Sequence, residues 1–363
     1  MNPFAGSVRY RVLIGCLLGA AIGDAIGLPF EGLSRGRVQR WLRGPLSHRF
    51  LFGRGFCSDD TEHTCMVAQA LLTARAETDQ EWYLHVFTHN LAWRMRMWLL
   101  GLPAGIGLAT LRALLKQWLH PLGHVEGVFS AGNGPAMRSA ILGVCHGHDP
   151  LLLRKLVRAS TRLTHTDPRA EEGAFAVAWA AYCSSVSEQV TPEQFLSSLS
   201  DQLQSPGSEL LDAVSEAIDS VKRGESSFQY ADHIGCQRGV TGFVMHTVPV
   251  ALHICLSYPE NYSAAIETSV RCGGDTDTVG AIVGAIVGAR VGQEGIPEQW
   301  ISNLWEWPRS RYWLIELATR LAEVDSEKEK GALPLSLPAL ILRNIFFMIW
   351  VLVLGFRRLL PRY

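Results

Sequence analysis

The sequence predicts an all-α fold: a compact multi-helix single domain followed by a C-terminal apolar helical tail. Three observations carry this expectation. Apolar residues recur at helical spacing through most of the chain, and convincing period-two strands are missing. Two segments carry a glycine at every fourth position, Gly15, Gly19, Gly23, Gly27 and Gly280, Gly284, Gly288, Gly292. Two short acidic clusters, Ser58-Asp59-Asp60-Thr61 and Gly274-Asp275-Thr276-Asp277-Thr278, each run directly into an apolar, helix-forming stretch.

Glycines four apart fall in one row along a helix face, where they let another backbone approach closely. Each weakens its helix by roughly 1 kcal/mol relative to alanine, so close packing has to offset that cost. The same spacing marks membrane helix dimers. Here Asp24 and the short apolar lengths favour two central, buried helices that draw the acidic loops together. After the first cluster, Met66–Leu72 continues as helix. Segments 81–100, 107–119, 151–160, 170–186, 193–204, 208–222, 245–256, 261–271, 278–291 and 312–323 also read as helices. Starts such as Thr191-Pro192-Glu193 and Asp167-Pro168-Arg169 bound them.

Composition narrows the function classes. With 363 residues, 48% of them hydrophobic, the chain can build a large core without staples. A formal net charge of −1 gives no basic footprint, which argues against a nucleic-acid partner. The eight cysteines are scattered without metal-knuckle spacing, as expected of free thiols in a reducing compartment. No signal-peptide pattern opens the chain. The expected location is cytoplasmic, with a monomeric body.

The body is expected to span residues 1–330, and 331–363 forms the apolar tail. From Pro338 to Phe356 the run nearly reaches the ~20 residues that cross a bilayer, interrupted by Arg343 and Asn344. A tail anchor, an interfacial helix and a helix docked on the body or a partner are the three readings. Membrane association through 338–356 is preferred, with Arg357, Arg358 and Arg362 as headgroup anchors. The globular domain is not expected to need this segment.

Clustered carboxylates repel one another and are costly to desolvate unless a cation sits among them. All-oxygen donors suit a hard divalent ion such as Mg²⁺ or Mn²⁺. If the two clusters meet, they make a two-metal hydrolytic site. Helix capping alone needs one aspartate per cluster, not two with neighbouring hydroxyls. Asp24, inside a glycine-striped helix, is read instead as satisfying buried backbone or the opposing loop. Cys57 and Cys272 adjoin the clusters and read as small buried filler, although meeting loops would bring the thiols together. Tryptophans 82, 93, 98 and 118 read as core, with one of them lining the cleft as the alternative.

The stretch Gly15 to Gly27, Glu31, the Ser-Asp-Asp-Thr cluster, Gly132-Asn133-Gly134-Pro135-Ala136-Met137-Arg138, Thr164-His165-Thr166-Asp167-Pro168-Arg169-Ala170 and Gly273-Gly274-Asp275-Thr276-Asp277-Thr278 occur in that order. Together they resemble the ADP-ribosylglycohydrolase family, whose members include ADP-ribosyl-serine and -arginine hydrolases. The resemblance implies an all-helical fold with two Mg²⁺ ions in a cleft, Mn²⁺ serving as substitute. It implies hydrolysis of the bond between ribose C1″ of ADP-ribose and an acceptor, on an ADP-ribosylated protein or a small-molecule conjugate. Ser58, Asp59, Asp60, Asp275, Asp277 and Thr278 match the family's metal ligands, with Ser58 standing where threonine is commoner.

Glu31 matches a glutamate facing the scissile bond, and it or a ligand aspartate such as Asp60 is the expected base. Gly132-Asn133-Gly134, opening a Pro-initiated helix, reads as the pyrophosphate loop with Met137 beside it. The resemblance places His165 near the distal ribose or phosphate, with a satisfied structural histidine as the alternative. The region from Leu84 to Val125 lacks Asp and Glu, which argues against an arginine acceptor. The same oxygen cage also permits another two-metal hydrolase of ADP-ribose-like nucleotides. A non-catalytic, crystallin-like ADP-ribose binder is the remaining alternative.

Overall fold

A computed structural model describes residues 3–120, 126–186, 191–205, 207–323 and 331–359. Among these there are eighteen α-helices and no strand beyond isolated bridges. At the centre, helix Pro3–Gly27 lies against helix Thr276–Val291 in the most extensive helix contact of the fold. The two glycine rows interlock in antiparallel register. A Cβ built on Gly15, Gly19 or Gly23 would lie 2.1, 2.1 or 2.0 Å from the carbonyl oxygen of Gly288, Gly284 or Gly280. No side chain fits there, so the rows are glycine because the backbones touch. Tyr262 Oη adds a hydrogen bond to the Gly19 carbonyl at 2.6 Å, and Thr276 Oγ1 donates to the Gly27 carbonyl at 2.8 Å.

This antiparallel pairing sets the Asp24–Gly27 end of the first helix beside the start of the second. Helix Asp59–Ala74 crosses at the same end and is buried along almost its whole length. Helices Ala140–His146, Pro168–Val186, Val244–Ser257 and Tyr262–Cys272 pack around the central pair, and Arg311–Ala322 covers its other side. The sequence-predicted segments each correspond to a helix here. Helix Pro192–Leu203 opens with a full capping box between Thr191 and Gln194. Short helices Arg35–Trp41, Ala140–His146, Ser227–His233 and Glu298–Ser302 escape the sequence pattern, because one or two turns carry too little period to detect.

The tail forms helix Leu337–Leu359, one face of which is docked on the body, as in one of the three readings of the sequence. Leu340, Arg343, Asn344 and Phe347, all on one face, are buried against the body. Phe347 stacks on Phe50 within a small second core that includes Leu28, Leu51, Phe56 and Ala104. Ahead of the helix, the backbone of Leu333 is clasped by the Gln69 side chain at 2.8 and 3.1 Å. The two hydrophilic residues that interrupt the apolar run are therefore the docking face. The opposite face, with Ile341, Ile345, Ile349, Leu352 and Phe356, is exposed. The charged stretch 324–330, His124, and the side chains of Arg357, Arg358 and Arg362 lie outside what is described.

Alanine at Gly19 or Gly284 would press its methyl onto a backbone carbonyl and force the central helices apart. Overpacking of this kind costs about 1–3 kcal/mol or more, against the roughly 1 kcal/mol that alanine returns in helix propensity. Chemical denaturation should show Gly19→Ala clearly destabilised, whereas Gly36→Ala, which meets nothing within 4 Å, should be neutral or stabilising. Wild-type stability for Gly19→Ala would remove the close-approach argument.

Candidate active site

Ser58 caps the acidic helix, its hydroxyl accepting from the Asp60 amide at 3.2 Å and donating to Asp60 Oδ2 at 2.8 Å. Asp24 reaches across from the first glycine helix. Its carboxylate accepts from the Ser58 amide at 2.9 and 3.0 Å, the Thr61 amide at 3.1 Å and the Thr61 hydroxyl at 2.5 Å. The expectation that Asp24 serves the opposing loop therefore matches its bonds, and it also stands within the carboxylate cluster itself. From the other side, Thr278 Oγ1 donates to Asp60 Oδ2 at 3.2 Å, so the two distant acidic clusters meet.

The second cluster is placed by backbone. Gly274 exchanges hydrogen bonds with the 32–33 loop, its amide donating to the Leu33 carbonyl and its carbonyl accepting from the Gly32 amide, both at 2.8 Å. The Asp275 amide donates to the Val240 carbonyl at 2.8 Å. Gly274 has φ +79°, and a Cβ there would lie 1.9 Å from the Val240 carbonyl oxygen, so only glycine permits this crossing. The loops bearing Glu31, Val240 and Asp275 are thereby fastened together.

Asn133 donates through its amide nitrogen to Asp275 Oδ2 at 2.6 Å and to Thr247 Oγ1 at 2.9 Å. That side chain braces an acidic residue, a task that its expected place in a pyrophosphate loop did not suggest. Gly132 and Gly134 flank His165: Cβ atoms on them would sit 2.8 and 3.2 Å from its ring. A short bridge between Val128 and His165 sets the histidine, whose Nδ1 pairs with Thr164 Oγ1 at 2.9 Å. Burial, reinforced by the neighbouring Arg138 guanidinium, pushes its pKa down to about 3, so the ring is neutral at physiological pH. The Arg138 guanidinium, fully buried, ties together Ser160, Thr164 and His63.

These groups open into one cleft of about 570 Å³. Glu31, Asp59, Asp60, Gly132, Asn133, Gly134, Met137, His165, Asp275, Asp277 and Thr278 all line it, and Ser58 stands behind Asp60. Thr110, Ser130 and Thr241 line it too. Nothing in the sequence set these apart, because isolated hydroxyl residues in loops carry no pattern. None of tryptophans 82, 93, 98 and 118 lines the cleft. Trp98 instead donates to Glu62 behind the site at 2.6 Å. Cys57 Sγ points to the Ala21 carbonyl, and Cys272 is buried near Cys236 and Arg35, which fits the filler reading for both.

Electrostatically the cleft floor is overloaded. Asp24, Asp60 and Asp277 are buried, with one oxygen of each lying within 4.8 Å of the other two. Burial first, and then the neighbouring carboxylates, raise Asp59, Asp60 and Asp277 well above the ordinary carboxylate range. Burial lifts Asp24 to about 7, against the hydrogen bonds from Thr61 and Ser58. Burial also raises Asp275, opposed by the Asn133 amide. Asp60 Oδ1 and Asp277 Oδ1 are buried without a hydrogen-bond partner among the described residues. Orphaned, mutually repelling hard oxygens are what a divalent cation satisfies, so the residues present fit one.

Comparison with known proteins agrees with this geometry. The family model described as ADP-ribosylglycohydrolase matches residues 7–331. An uncharacterized protein of Archaeoglobus fulgidus is 29% identical over 85% of this chain and 95% of its own length. The ADP-ribosyl-[dinitrogen reductase] glycohydrolase of Rhodospirillum rubrum is 26% identical, covering 82% and 91%. ADP-ribosylhydrolase ARH3 of Gallus gallus is 27% identical, covering 80% and 88%. A solved structure titled ADP-ribosylglycohydrolase-related protein complex superposes with a TM-score of 0.63 at 25% identity, over 87% of this chain and 98% of its own. With a glycine-locked helical core, an acidic cleft and a match along nearly its whole body, the chain belongs to the ADP-ribosylglycohydrolase family, enzymes that hydrolyse glycosyl bonds.

Proposed function

We propose that this chain hydrolyses the bond between the C1″ of ADP-ribose and an acceptor, using two Mg²⁺ ions that Mn²⁺ can replace. The observation that supports it most is the pair of orphaned buried oxygens, Asp60 Oδ1 and Asp277 Oδ1, among carboxylates from two distant segments. Ser58, Asp59, Asp60, Asp275, Asp277 and Thr278 would hold the ions, with Asp24 bracing the first loop and Asn133 bracing Asp275. A bound divalent pair supplies Lewis acidity toward ribose hydroxyls and a water.

The remaining work falls to this chain's own groups. Glu31, exposed at the edge of the cleft, or Asp60 takes the proton of the attacking water. Its carboxylate also faces the positive charge that develops on the sugar in an oxocarbenium-like transition state. The Gly132–Gly134 loop, fixed by the Asn133 amide's bond to the Gly242 carbonyl, with neutral His165 against it and Met137 below, binds the diphosphate and distal ribose without a charge change near neutral pH. Among the described residues, the acidic lining of the cleft is Glu31 and the four aspartates at the floor. None of the described residues supplies a further carboxylate there for a guanidinium, which favours a hydroxyl acceptor, such as serine, over arginine.

Full-length protein with Mg²⁺ should release free ADP-ribose from peptides ADP-ribosylated on serine, and more slowly if at all from arginine conjugates. Asp60→Asn or Asp275→Ala should lower that release by more than about 100-fold and abolish Mg²⁺ uptake in calorimetry. Release of AMP would point to a phosphohydrolase. Tight ADP-ribose binding with no turnover on any linkage would point to a binding protein.

The raised carboxylates make a second check. In EDTA the folded state favours protonated carboxyls. Their contribution to stability is therefore complete below the ordinary carboxylate pKa of about 4 and lost as pH rises through the folded value of about 7 at Asp24. Thermal scans of metal-free protein should show Tm falling between about pH 4 and pH 7, and Mg²⁺ should restore it at pH 8. A flat Tm in EDTA would contradict the uncompensated cluster.

We further infer that the exposed face of the tail helix rests on a membrane surface, lying in the interface while the opposite face stays docked. Five large apolar residues at helical spacing, Ile341, Ile345, Ile349, Leu352 and Phe356, form that face. The full chain should float with anionic liposomes, and Ile345→Glu combined with Ile349→Glu should keep it in solution with activity intact. Equal flotation of both forms would exclude this attachment.

A further inference from the structure

The grip on the first acidic loop comes from two directions, and one of them lies outside the matched family region. Arg343, on the docked face of the tail helix, is 2% exposed. Its Nε and Nη2 donate to the two oxygens of Glu306 at 2.9 and 2.8 Å, a bidentate pair. Nη2 also donates to the carbonyl of Cys57 at 2.6 Å, and Glu306 Oε2 accepts from the Cys57 amide at 2.9 Å. Both backbone polar groups of Cys57 are thus held by this ion pair. The next residue is Ser58, whose amide is held by Asp24 from the other side.

A second link runs to the same helix. Glu62, one turn into the acidic helix and fully buried, pairs with Arg309 and lies 3.9 Å from Arg343 Nη1. Two buried carboxylates, Glu62 and Glu306, are balanced by two buried guanidiniums, Arg309 and Arg343. Without Arg343, Glu306 would lose its cation, and the Cys57 carbonyl would lose the donor that fixes the start of the loop. The family match ends at residue 331, so this support comes from a segment outside the matched residues.

We propose that Arg343 is a positioning residue for the metal-binding loop, and that the tail helix is in this way part of the active site's supporting structure. The inference rests on the reading of residues 58–60 as cation ligands. Groups that orient metal ligands typically contribute tenfold to a hundredfold in metal affinity. Lysine cannot replace the arginine here, because a single ammonium cannot span both Glu306 oxygens and the Cys57 carbonyl together.

The test compares full-length wild type, Arg343→Met, Arg343→Lys and Trp350→Ala by Mg²⁺ calorimetry, with Mn²⁺ electron paramagnetic resonance as a second readout. Phe347 is unsuitable as a control, because its ring lies 4.4 Å from the Arg343 guanidinium. Trp350, two turns further on, holds the same helix through the Phe50 carbonyl, so Trp350→Ala separates a general docking defect from loss of loop positioning. The expected result is a tenfold to hundredfold weaker Mg²⁺ affinity in Arg343→Met and a clearly weakened one in Arg343→Lys. An altered Mn²⁺ spectrum should accompany both, with near-wild-type affinity in Trp350→Ala despite a lower Tm. Wild-type affinity in folded Arg343→Met or Arg343→Lys, or an equal loss in Trp350→Ala, overturns the proposal. A wild-type protein that takes up no Mg²⁺ at all instead overturns the cation-site reading on which it stands.

Discussion

The contact between two backbones, helix Pro3–Gly27 against helix Thr276–Val291, is the constraint on which the rest of the molecule depends. At three successive turns the facing glycines leave no room for a single methyl group. Such a contact has little freedom to slide, since any shift in register by one residue would bring a Cβ onto a carbonyl. The pairing is antiparallel, so it fixes one end of each helix beside the other. At that end stand Asp24, the turn toward Glu31, and Asp275 to Thr278. Rigidity that begins as an absence of side chains ends as a defined set of carboxylate positions.

What those positions create is an electrostatic debt. Four aspartates and Asp24 occupy a space where burial already disfavours charge, and each raises the pKa of others. Among the described residues no Lys or Arg lines the floor to relieve this. Instead, buried arginines sit one layer back: Arg138 behind His165, and Arg309 with Arg343 behind the acidic helix. They neutralise Glu62 and Glu306 and fix backbone, leaving the floor carboxyls to one another. An arrangement that spends its arginines on support and withholds them from the cleft is suited to binding a cation there.

Much of this was legible in the chain. The glycine rows announced a close helix contact because only one physical use explains glycine at every fourth position in an apolar helix. The convergence of the two acidic clusters followed from their adjacency to those rows, and Asp24 was readable as a bracing group from its place inside one. Less visible was the second use of Asn133, whose side chain turns to Asp275 while its backbone stays in the loop. Thr110, Ser130 and Thr241 could not be found, since cleft-lining hydroxyls in loops have no sequence period. Arg343 was visible as an interruption of the apolar run, but its partners were not. It reads as a defect in an apolar segment until Glu306 and Cys57, far away in sequence, are seen to need it. Long-range ion pairs of this kind leave no local signature.

The account stands or falls on where divalent ions sit. Crystals of the full-length protein grown with Mn²⁺ and measured at the manganese absorption edge would locate them by anomalous scattering. Two strong peaks bounded by residues 58–60 and 275–278, close to Asp60 Oδ1 and Asp277 Oδ1, are predicted. Well-ordered acidic loops with no anomalous peak between them, or peaks only elsewhere on the molecule, would contradict it.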